Sequence, residues 1–417
     1  MTQIIYSTDA TRNMNQETIR FVKQHREDDV RALALQARRD SDVDLPWALD
    51  QIQGWQTARR KLPSWAAIDG LVFPPHLSME QCSSEATAIY KCGIMEQLPR
   101  EGRKTLIDLT GGFGVDFAFM ARCCDHAVYV EQQEHLCETA RHNFDLLGLS
   151  HARVIHGDAQ EVLNGLDTEP NSTFIYIDPA RRDTNKARTY AIADCTPNVL
   201  ELLDQLFKTA SHVLLKLSPM LDWHKAVSEL GEQVAQVHIV STGNECKELL
   251  ILMTGGHSGE PTIHCVNDNQ HLTFTPADGE VPAAIADAAK AGFLYEPNAS
   301  IMKAGCFGLL TLRYPVKALA LDSHLFVSNE LVKDFPGRRF AINAVTTMNK
   351  KELSHALKGI SRANIATRNF PMTAQQLRQR LRLQDGGDCY IFGTTTATGH
   401  RILYLCHKAS QVDGVSL

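Results

Sequence analysis

The chain has 417 residues, of which 44% are apolar and 22% are charged, and its formal net charge is −6. This composition is typical of a soluble globular protein and excludes the fibrous and the largely disordered classes. The length predicts about two to four domains. No apolar run approaches the roughly 20 residues that a membrane helix needs, and residues 1–9 lack the basic and apolar regions of a secretory signal. We therefore expect a cytoplasmic protein that does not enter a membrane.

Eleven cysteines are scattered along the chain without a Cys-x-x-Cys pair. A chain of this size does not need disulfide staples, so reduced and mostly buried thiols are predicted. Cys123 and Cys124 are adjacent, but no neighbouring histidine or cysteine stands at the spacing of metal ligands. The sequence therefore predicts no metal site.

Residues 1–100 are predicted to form a helical amino-terminal region. Asn15 is a good cap for a helix that continues to about Arg38, and Pro46, soon after Asp44, is typical of the first turn of a second helix. A third helix is predicted over residues 78–95.

Residues 101–256 alternate between apolar, β-rich runs and helical stretches. The runs cover residues 105–109, 127–130, 153–155, 174–177 and 213–217. This alternation predicts an α/β domain with a doubly wound, Rossmann-like parallel sheet. Two further runs, at residues 237–240 and 249–253, are separated by a loop too short for a helical crossover, so we expect the last strand of a seven-stranded sheet to be antiparallel.

Two small α+β domains are predicted after a glycine-rich linker at residues 255–259. The first, residues 260–335, opens with a hairpin over residues 262–275 and contains a helix between Asn298 and Gly305. The second, residues 338–417, combines a strand at residues 340–345 with two helices and a pair of strands near the end. One of those helices begins with a capping box formed by Thr373 and Gln376.

The charge is distributed unevenly between these regions. Residues 338–408 contain twelve Lys or Arg against three acids, an excess of nine positive charges, so the rest of the chain carries −15. A basic module of this kind is typical of a contact with a polyanion such as RNA, since neutralised phosphates supply most nonspecific nucleic-acid affinity. A solvated face on a small domain is the alternative interpretation.

Four chemical landmarks follow four successive strand runs. The first, Asp108-Leu109-Thr110-Gly111-Gly112-Phe113-Gly114, fits the first strand-to-helix turn of a doubly wound sheet, where Gly112 and Gly114 let the backbone approach a ligand. In an S-adenosylmethionine (SAM) site, Asp108 would hold the methionine ammonium and the helix start would hold its carboxylate. Thr110 takes the place of the usual first glycine, which is acceptable only if its φ is negative.

The second and third landmarks are single acids at strand ends. Glu131 ends the second strand at the spacing where an acid meets ribose hydroxyls. Asp158 follows the third strand and is a candidate acceptor for the adenine amine. Each acid could instead simply cap the helix that follows it.

The fourth landmark, Asp178-Pro179-Ala180-Arg181, follows the fourth strand. In enzymes that methylate base amines, an Asp or Asn oxygen and a backbone carbonyl near the Pro take the amine hydrogens and expose the nitrogen lone pair to the methyl group. Asp178, Pro179 and Arg181 are therefore the candidate catalytic residues. Arg181 departs from the aromatic residue that is usual at this position, and its guanidinium could stack on a base or hold a phosphate. An ordinary Asp-Pro turn is the alternative interpretation.

The sequence resembles the class I SAM-dependent methyltransferases over about residues 80–255. More narrowly, the whole chain resembles a bacterial group in which a helical region and a methyltransferase core precede a ferredoxin-like segment and a THUMP-like domain. The segments that carry this resemblance are EQCSSE at residues 80–85, DLTGGFG at 108–114, IDPAR at 177–181 and YEPNASIMKAG at 295–305.

The resemblance implies SAM as the cofactor. It also implies an RNA substrate, such as tRNA or rRNA, because THUMP domains are RNA-binding modules of tRNA-modifying enzymes. The leading hypothesis is a SAM-dependent methyltransferase that acts on an RNA base amine. A noncatalytic SAM-binding RNA-binding factor and a small-molecule methyltransferase are the alternatives. A nicotinamide dehydrogenase fits least, because its sheet continues parallel in place of the closing antiparallel pair. The sequence does not predict the oligomeric state.

Overall fold

The computed structural model describes residues 15–36, 42–181, 191–286 and 291–409. The chain divides into two compact units. The first unit comprises residues 1–235 and 250–258, and the second comprises residues 236–249 and 259–417. None of the helices in the described ranges combines the length and the apolar character that a bilayer crossing requires.

In the described residues, the first unit begins with six helices: α1 (Gln16–His25), α2 (Val30–Gln36), α3 (Leu45–Lys61), α4 (Pro63–Ala66), α5 (His76–Gln81) and α6 (Glu85–Glu96). The caps predicted at Asn15 and Asp44 are present. Two predicted helices are each split in two, however. Asp29 accepts a hydrogen bond from the backbone of Ala32 (2.8 Å) and so starts α2, and Ser84 accepts one from the backbone of Thr87 (3.3 Å) and so starts α6.

The strands and helices of the methyltransferase-like core then alternate as predicted. In chain order they are β1 (Thr105–Asp108), α7 (Val115–Ala121), β2 (His126–Glu131), α8 (Glu134–Leu146), β3 (Ala152–His156), α9 (Ala159–Gly165), β4 (Thr173–Ile177), β5 (Ala180–Arg181), β6 (Cys195–Thr196), α10 (Val199–Thr209), β7 (His212–Leu217) and α11 (Trp223–Leu230). The order β7-β4-β1-β2-β3 is parallel throughout. The α/β prediction is confirmed.

Strands β8 (Val234–Thr242) and β9 (Glu245–Thr254) follow, joined by a turn of Gly243 and Asn244, which both have positive φ. They are hydrogen-bonded neighbours, and so short a turn connects only antiparallel strands. The predicted hairpin is formed by β10 (Thr262–Asn267) and β11 (Gln270–Phe274), and β10 pairs in parallel with β8. The sheet therefore has nine strands, ordered β11-β10-β8-β9-β7-β4-β1-β2-β3, where the sequence predicts seven.

The second unit contains a second sheet, ordered β13-β14-β12-β15-β18-β17-β16. The strands of this sheet and the helices of the same part of the chain are, in chain order, α12 (Pro276–Gly279), β12 (Phe293–Pro297), α13 (Ala299–Ala304), α14 (Phe307–Arg313), β13 (Lys317–Ala318), β14 (Phe326–Ser328), β15 (Gly337–Thr346), α15 (Lys350–Ala356), β16 (Asn364–Arg368), α16 (Ala374–Leu381), β17 (Tyr390–Thr395) and β18 (Arg401–Lys408). Strands from both predicted carboxyl-terminal segments thus share one sheet, around a core that includes Leu294, Phe340 and Tyr404.

Candidate active site

The carboxyl ends of β1, β2, β4 and β7 meet at one edge of the parallel sheet, where ligands bind in doubly wound folds. The glycine-rich turn after β1 has the expected backbone. Gly112 and Gly114 have φ values of +56° and +82°, which favour glycine. Thr110 is not one of the described residues with positive φ, as its β-branched side chain requires. A Cβ on Gly111 would lie 2.2 Å from the Tyr129 ring, so this turn also needs glycine for close packing.

Glu131 holds the glycine-rich turn in place. Its two carboxylate oxygens accept hydrogen bonds from the backbone N–H groups of Gly112 (2.8 Å) and Gln133 (2.9 Å). The Tyr129 hydroxyl donates to the Gly112 carbonyl from the same strand. Each carboxylate oxygen has a second lone pair, so this acid can fix the turn and still accept a ligand hydroxyl.

Asp108 and Asp178 are connected through Thr110. The backbone N–H of Thr110 donates to Asp108 Oδ1 (2.9 Å), and the Thr110 hydroxyl accepts a hydrogen bond from the backbone N–H of Asp178 (2.7 Å). The threonine that replaces a glycine therefore ties the end of β1 to the end of β4. Two of the predicted landmarks are brought together by a hydroxyl that glycine could not supply.

Lys216, near the end of β7, is a site residue outside the predicted set. Its ammonium lies 2.5 Å from Asp178 Oδ2 and 4.0 Å from Asp116 Oδ2. Asp116, on α7, also accepts hydrogen bonds from Ser83 Oγ and Tyr176 Oη, both at 2.7 Å. Lys91 on α6, a fully buried lysine, lies 3.2 Å from Asp116 Oδ1.

These contacts place the amino-terminal helices against the site. Ser83 and Lys91 come from the end of the helical amino-terminal region. Ser84 caps α6, while its neighbour Ser83 binds the buried Asp116. The Trp65 ring also packs edge-on against Phe113 of the glycine-rich turn, with ring centroids 5.2 Å apart.

Two of the buried acids at this edge, Asp108 and Asp116, have opposite electrostatic surroundings. Burial raises the pKa of Asp108 well above its usual range; the hydrogen bond from Thr110 opposes the shift, and nearby carboxylates, including Asp178, add to it. Burial would also raise the pKa of Asp116, but Lys91 and Lys216 lower it below its usual value. Asp108 is therefore a buried carboxylate whose charge the surrounding protein does not balance.

Asp158 caps the helix that follows it, which is the alternative interpretation of this acid in the sequence. It caps α9, with Oδ1 accepting from the backbones of Gln160 (2.8 Å) and Glu161 (3.2 Å), while the Gln132 amide donates to Oδ2 at 2.6 Å. An adenine contact would have to be made in addition to these three hydrogen bonds. Its proposed role is therefore less direct than those of Asp108 and Glu131.

The segment after Asp178 is only partly described. Pro179 is buried, and Ala180 and Arg181 form β5, which pairs antiparallel with β6. The Arg181 side chain and residues 182–190 lie outside the described part of the structure. The predicted substrate contact by Arg181 therefore stays a prediction.

Most of the basic residues in the segment 338–408 face solvent. Three arginines lie in ion pairs: Arg338 and Arg368 with the buried Glu296, and Arg378 with Asp385. Eight others are exposed: Lys350, Lys351, Lys358, Arg362, Arg380, Arg382, Arg401 and Lys408. The positive excess seen in the sequence is therefore largely available at the surface.

The arrangement fits SAM by charge. SAM carries a sulfonium and an ammonium group, and the sheet edge supplies the unbalanced carboxylate of Asp108, with Glu131 beside the same turn. Its methionine carboxylate matches the amino end of α7, which begins directly after Gly114. When bound, SAM supplies an electrophilic methyl group.

Comparisons with known proteins find similar domains and a similar whole structure. Family models match a ferredoxin-like domain at residues 293–336 and a THUMP domain-like region at residues 337–408. The crystal structure of a candidate methyltransferase from Porphyromonas gingivalis W83 is similar over 94% of this chain and 98% of that chain, with 32% identity and a TM-score of 0.81. No curated protein matches the sequence.

Two more distant structures each cover 40% of this chain. One is a candidate methyltransferase from Streptococcus mutans in complex with SAH, with 16% identity, 95% of that chain covered and a TM-score of 0.31. The other is an rRNA methylase from Streptococcus thermophilus, with 16% identity, 94% of that chain covered and a TM-score of 0.29. Likenesses at this level carry no conclusion about the substrate.

The doubly wound sheet and its acidic edge define the class, a class I methyltransferase fold. The chain belongs to the family of the Porphyromonas gingivalis protein, the bacterial SAM-dependent methyltransferases with a ferredoxin-like segment and a THUMP-like domain. SAM is the cofactor of this family.

Proposed function

We propose that this protein transfers a methyl group from SAM to an exocyclic base amine of RNA, either tRNA or rRNA. The observation that carries the proposal is the hydrogen-bonded link from Asp108 through Thr110 to Asp178. It ties the Asp108 carboxylate, which suits the cationic methyl donor, to the backbone of Asp178, whose carboxylate suits an amine acceptor. In-line attack requires donor and acceptor at one edge of the sheet.

The residues divide into a donor side and an acceptor side. On the donor side, Asp108, Thr110, Gly112 and Gly114 would hold the methionine part of SAM, Glu131 the ribose and Asp158 the adenine. Their positions come from the contacts described above, and their roles toward SAM are proposals.

Asp178 and Pro179 form the acceptor side. Lys216 binds Asp178 Oδ2. None of the contacts of the described residues uses Asp178 Oδ1, so this oxygen is available to an amine N–H. The ion pair fixes the orientation of the carboxylate. A carbonyl near Pro179 would take the second amine hydrogen, and positioning would supply most of the rate.

RNA is the proposed acceptor because of the second unit. Its exposed lysines and arginines, together with the THUMP domain-like match, support contacts with phosphates. We also propose the division into residues 1–100, 101–256, 260–335 and 338–417, and a cytoplasmic location.

The test uses the purified full-length chain with methyl-labelled SAM and total RNA from cells that lack the gene. The proposal expects label in RNA, followed by identification of one methylated nucleoside by mass spectrometry. Label only in small metabolites would favour a small-molecule methyltransferase. SAM binding without transfer to either fraction would favour a noncatalytic RNA-binding factor.

A further inference from the structure

Three side chains with metal-binding groups meet where α6 and α7 end. Cys92 and Glu96 are four residues apart on α6 and so share one face of that helix, and Cys123 lies two residues after α7. Their ligand atoms, two sulfurs and one carboxylate oxygen, all lie within 4.8 Å of one another. Among the described residues, this is the one such group of three. The sequence does not show it, because the ligands come from segments about 30 residues apart.

The three groups are already in close contact. The Cys123 thiol donates to Glu96 Oε1 at 3.4 Å, and the Cys92 sulfur lies within 4.8 Å of both ligand atoms. The thiols are half-buried and the glutamate is exposed, so an ion can enter from solvent. A cation that replaced the two thiol protons would bond to all three groups at once.

We propose that Cys92, Glu96 and Cys123 bind one zinc ion, with water as a fourth ligand. Two thiolates and a carboxylate are a donor set that Zn²⁺ accepts, at about 2.3 Å from sulfur and about 2.0–2.2 Å from oxygen. Ligand atoms around one tetrahedral ion are then roughly 3.5–4 Å apart, so small side-chain adjustments suffice. Binding releases the two thiol protons and leaves the site with one net negative charge.

Nearby arginines match that negative charge. Arg103 donates from Nη1 to the Cys123 carbonyl at 2.5 Å, and Arg122 is the residue before Cys123. The neighbouring Cys124 points elsewhere, because its thiol donates to the Ala121 carbonyl at 3.2 Å. Cys124 is therefore a matched control for Cys123.

A disulfide between Cys92 and Cys123 is the competing chemistry for this pair. It would use only the two sulfurs and leave Glu96 without a function in the cluster. The carboxylate that contacts Cys123 is what favours a metal ion. A bound ion would also fix α6 to α7, the same two helices that the buried Lys91–Asp116 ion pair joins.

The experiment loads the reduced full-length protein with Zn²⁺, or with Co²⁺ as a spectroscopic probe, and measures affinity by competition with a chromophoric chelator. We expect one ion per chain, ultraviolet thiolate-to-cobalt bands that correspond to two sulfurs, and a Tm that rises with Zn²⁺ and falls with chelator. C92S and C123S should each weaken binding at least about tenfold, E96Q should weaken it less, and C124S should leave it unchanged.

Three results would overturn the zinc site. They are a wild-type protein that takes up no stoichiometric ion, a cobalt spectrum without thiolate bands, and affinity in C92S equal to that of wild type. Recovery of a Cys92–Cys123 disulfide by peptide mapping, with no metal uptake after reduction, would likewise assign the pair to redox chemistry. The wild-type cobalt spectrum gives the answer even if a cysteine variant fails to fold.

Discussion

Asp108 and Asp116 stand on either side of the same glycine-rich turn, and both are buried, yet the protein treats them differently. Asp116 has two lysines and two hydroxyl donors around it, and its pKa is lowered. Asp108 has the Thr110 backbone and further carboxylates around it, and its pKa is raised. The structural acid Asp116 is thus balanced by its own chain, and we propose that a cationic ligand balances Asp108.

The largest expected effect comes from removing the balance at Asp116. Lys91→Met keeps the volume of a fully buried lysine but takes away a charge 3.2 Å from Asp116. Breaking a buried ion pair from one side costs about 3–5 kcal/mol, and we expect that loss in the free energy of unfolding measured with urea. The double variant Lys91→Met/Asp116→Asn should recover part of the loss. A change below about 0.5 kcal/mol in the single variant would mean that Asp116 is balanced without Lys91.

Asp178 extends the comparison to the acceptor side. Asp178→Ala should lower methyl transfer by about a hundred- to a thousandfold, the usual cost of removing a group that orients the reaction, while SAM affinity stays within a few fold. Single-turnover kinetics and calorimetry measure the two quantities separately. Loss of SAM binding in the folded variant would move Asp178 to the donor side.

The exposed lysines around α15 test the role of the second unit. The dependence of log RNA affinity on log salt concentration has a negative slope, and the triple variant K350Q/K351Q/K358Q should make this slope shallower by up to about three. The reason is that each phosphate contact contributes roughly 0.7–0.9 to its magnitude. This design leaves the strands intact, whereas a truncation at residue 338 would remove β15, the partner of β12. An unchanged slope would assign RNA binding to another surface.

The smallest effect concerns the stability of the cofactor-free protein. Because the folded pKa of Asp108 is raised, the folded state holds a proton that the unfolded state releases, and stability falls as pH rises from the ordinary carboxyl range through the raised value. Asp108→Asn should remove this loss and raise the Tm at neutral pH. Asp116 acts with the opposite sign, since its lowered pKa contributes stability that is lost on acidification. A lower Tm in Asp108→Asn would show that its charge is already balanced.

Local signals in the sequence predict local structure well. The α13 helix is capped by Asn298 and ends at Gly305 in the left-handed conformation, and α16 has its Thr373–Gln376 capping box. Cap chemistry depends on residues within one turn, so the pattern is sufficient. The strand ends that carry Asp108, Glu131 and Asp178 were predictable for the same reason, because each follows an apolar run.

Long-range contacts account for what the sequence did not show. Lys91, Asp116 and Lys216 lie on three elements, and only folding brings their charges together. The same holds for Thr110, whose hydroxyl reaches the backbone 68 positions further along the chain. The hairpin of β10 and β11 was predicted, but its place in the sheet was not. Strand β10 pairs with the edge of β8 that β9 leaves open, which is a contact outside the hairpin.

Calorimetric titration of SAM into the wild type and Asp108→Asn, across the acidic to neutral range, tests the charge asymmetry most directly. If Asp108 binds the cationic cofactor, the affinity of the wild type for SAM rises as the pH passes through the raised pKa of this carboxyl, because binding requires its charged form. The variant should bind about ten- to a hundredfold more weakly, the value of a charged hydrogen bond, and lose the pH dependence. Equal affinities with the same pH profile would contradict the role of Asp108.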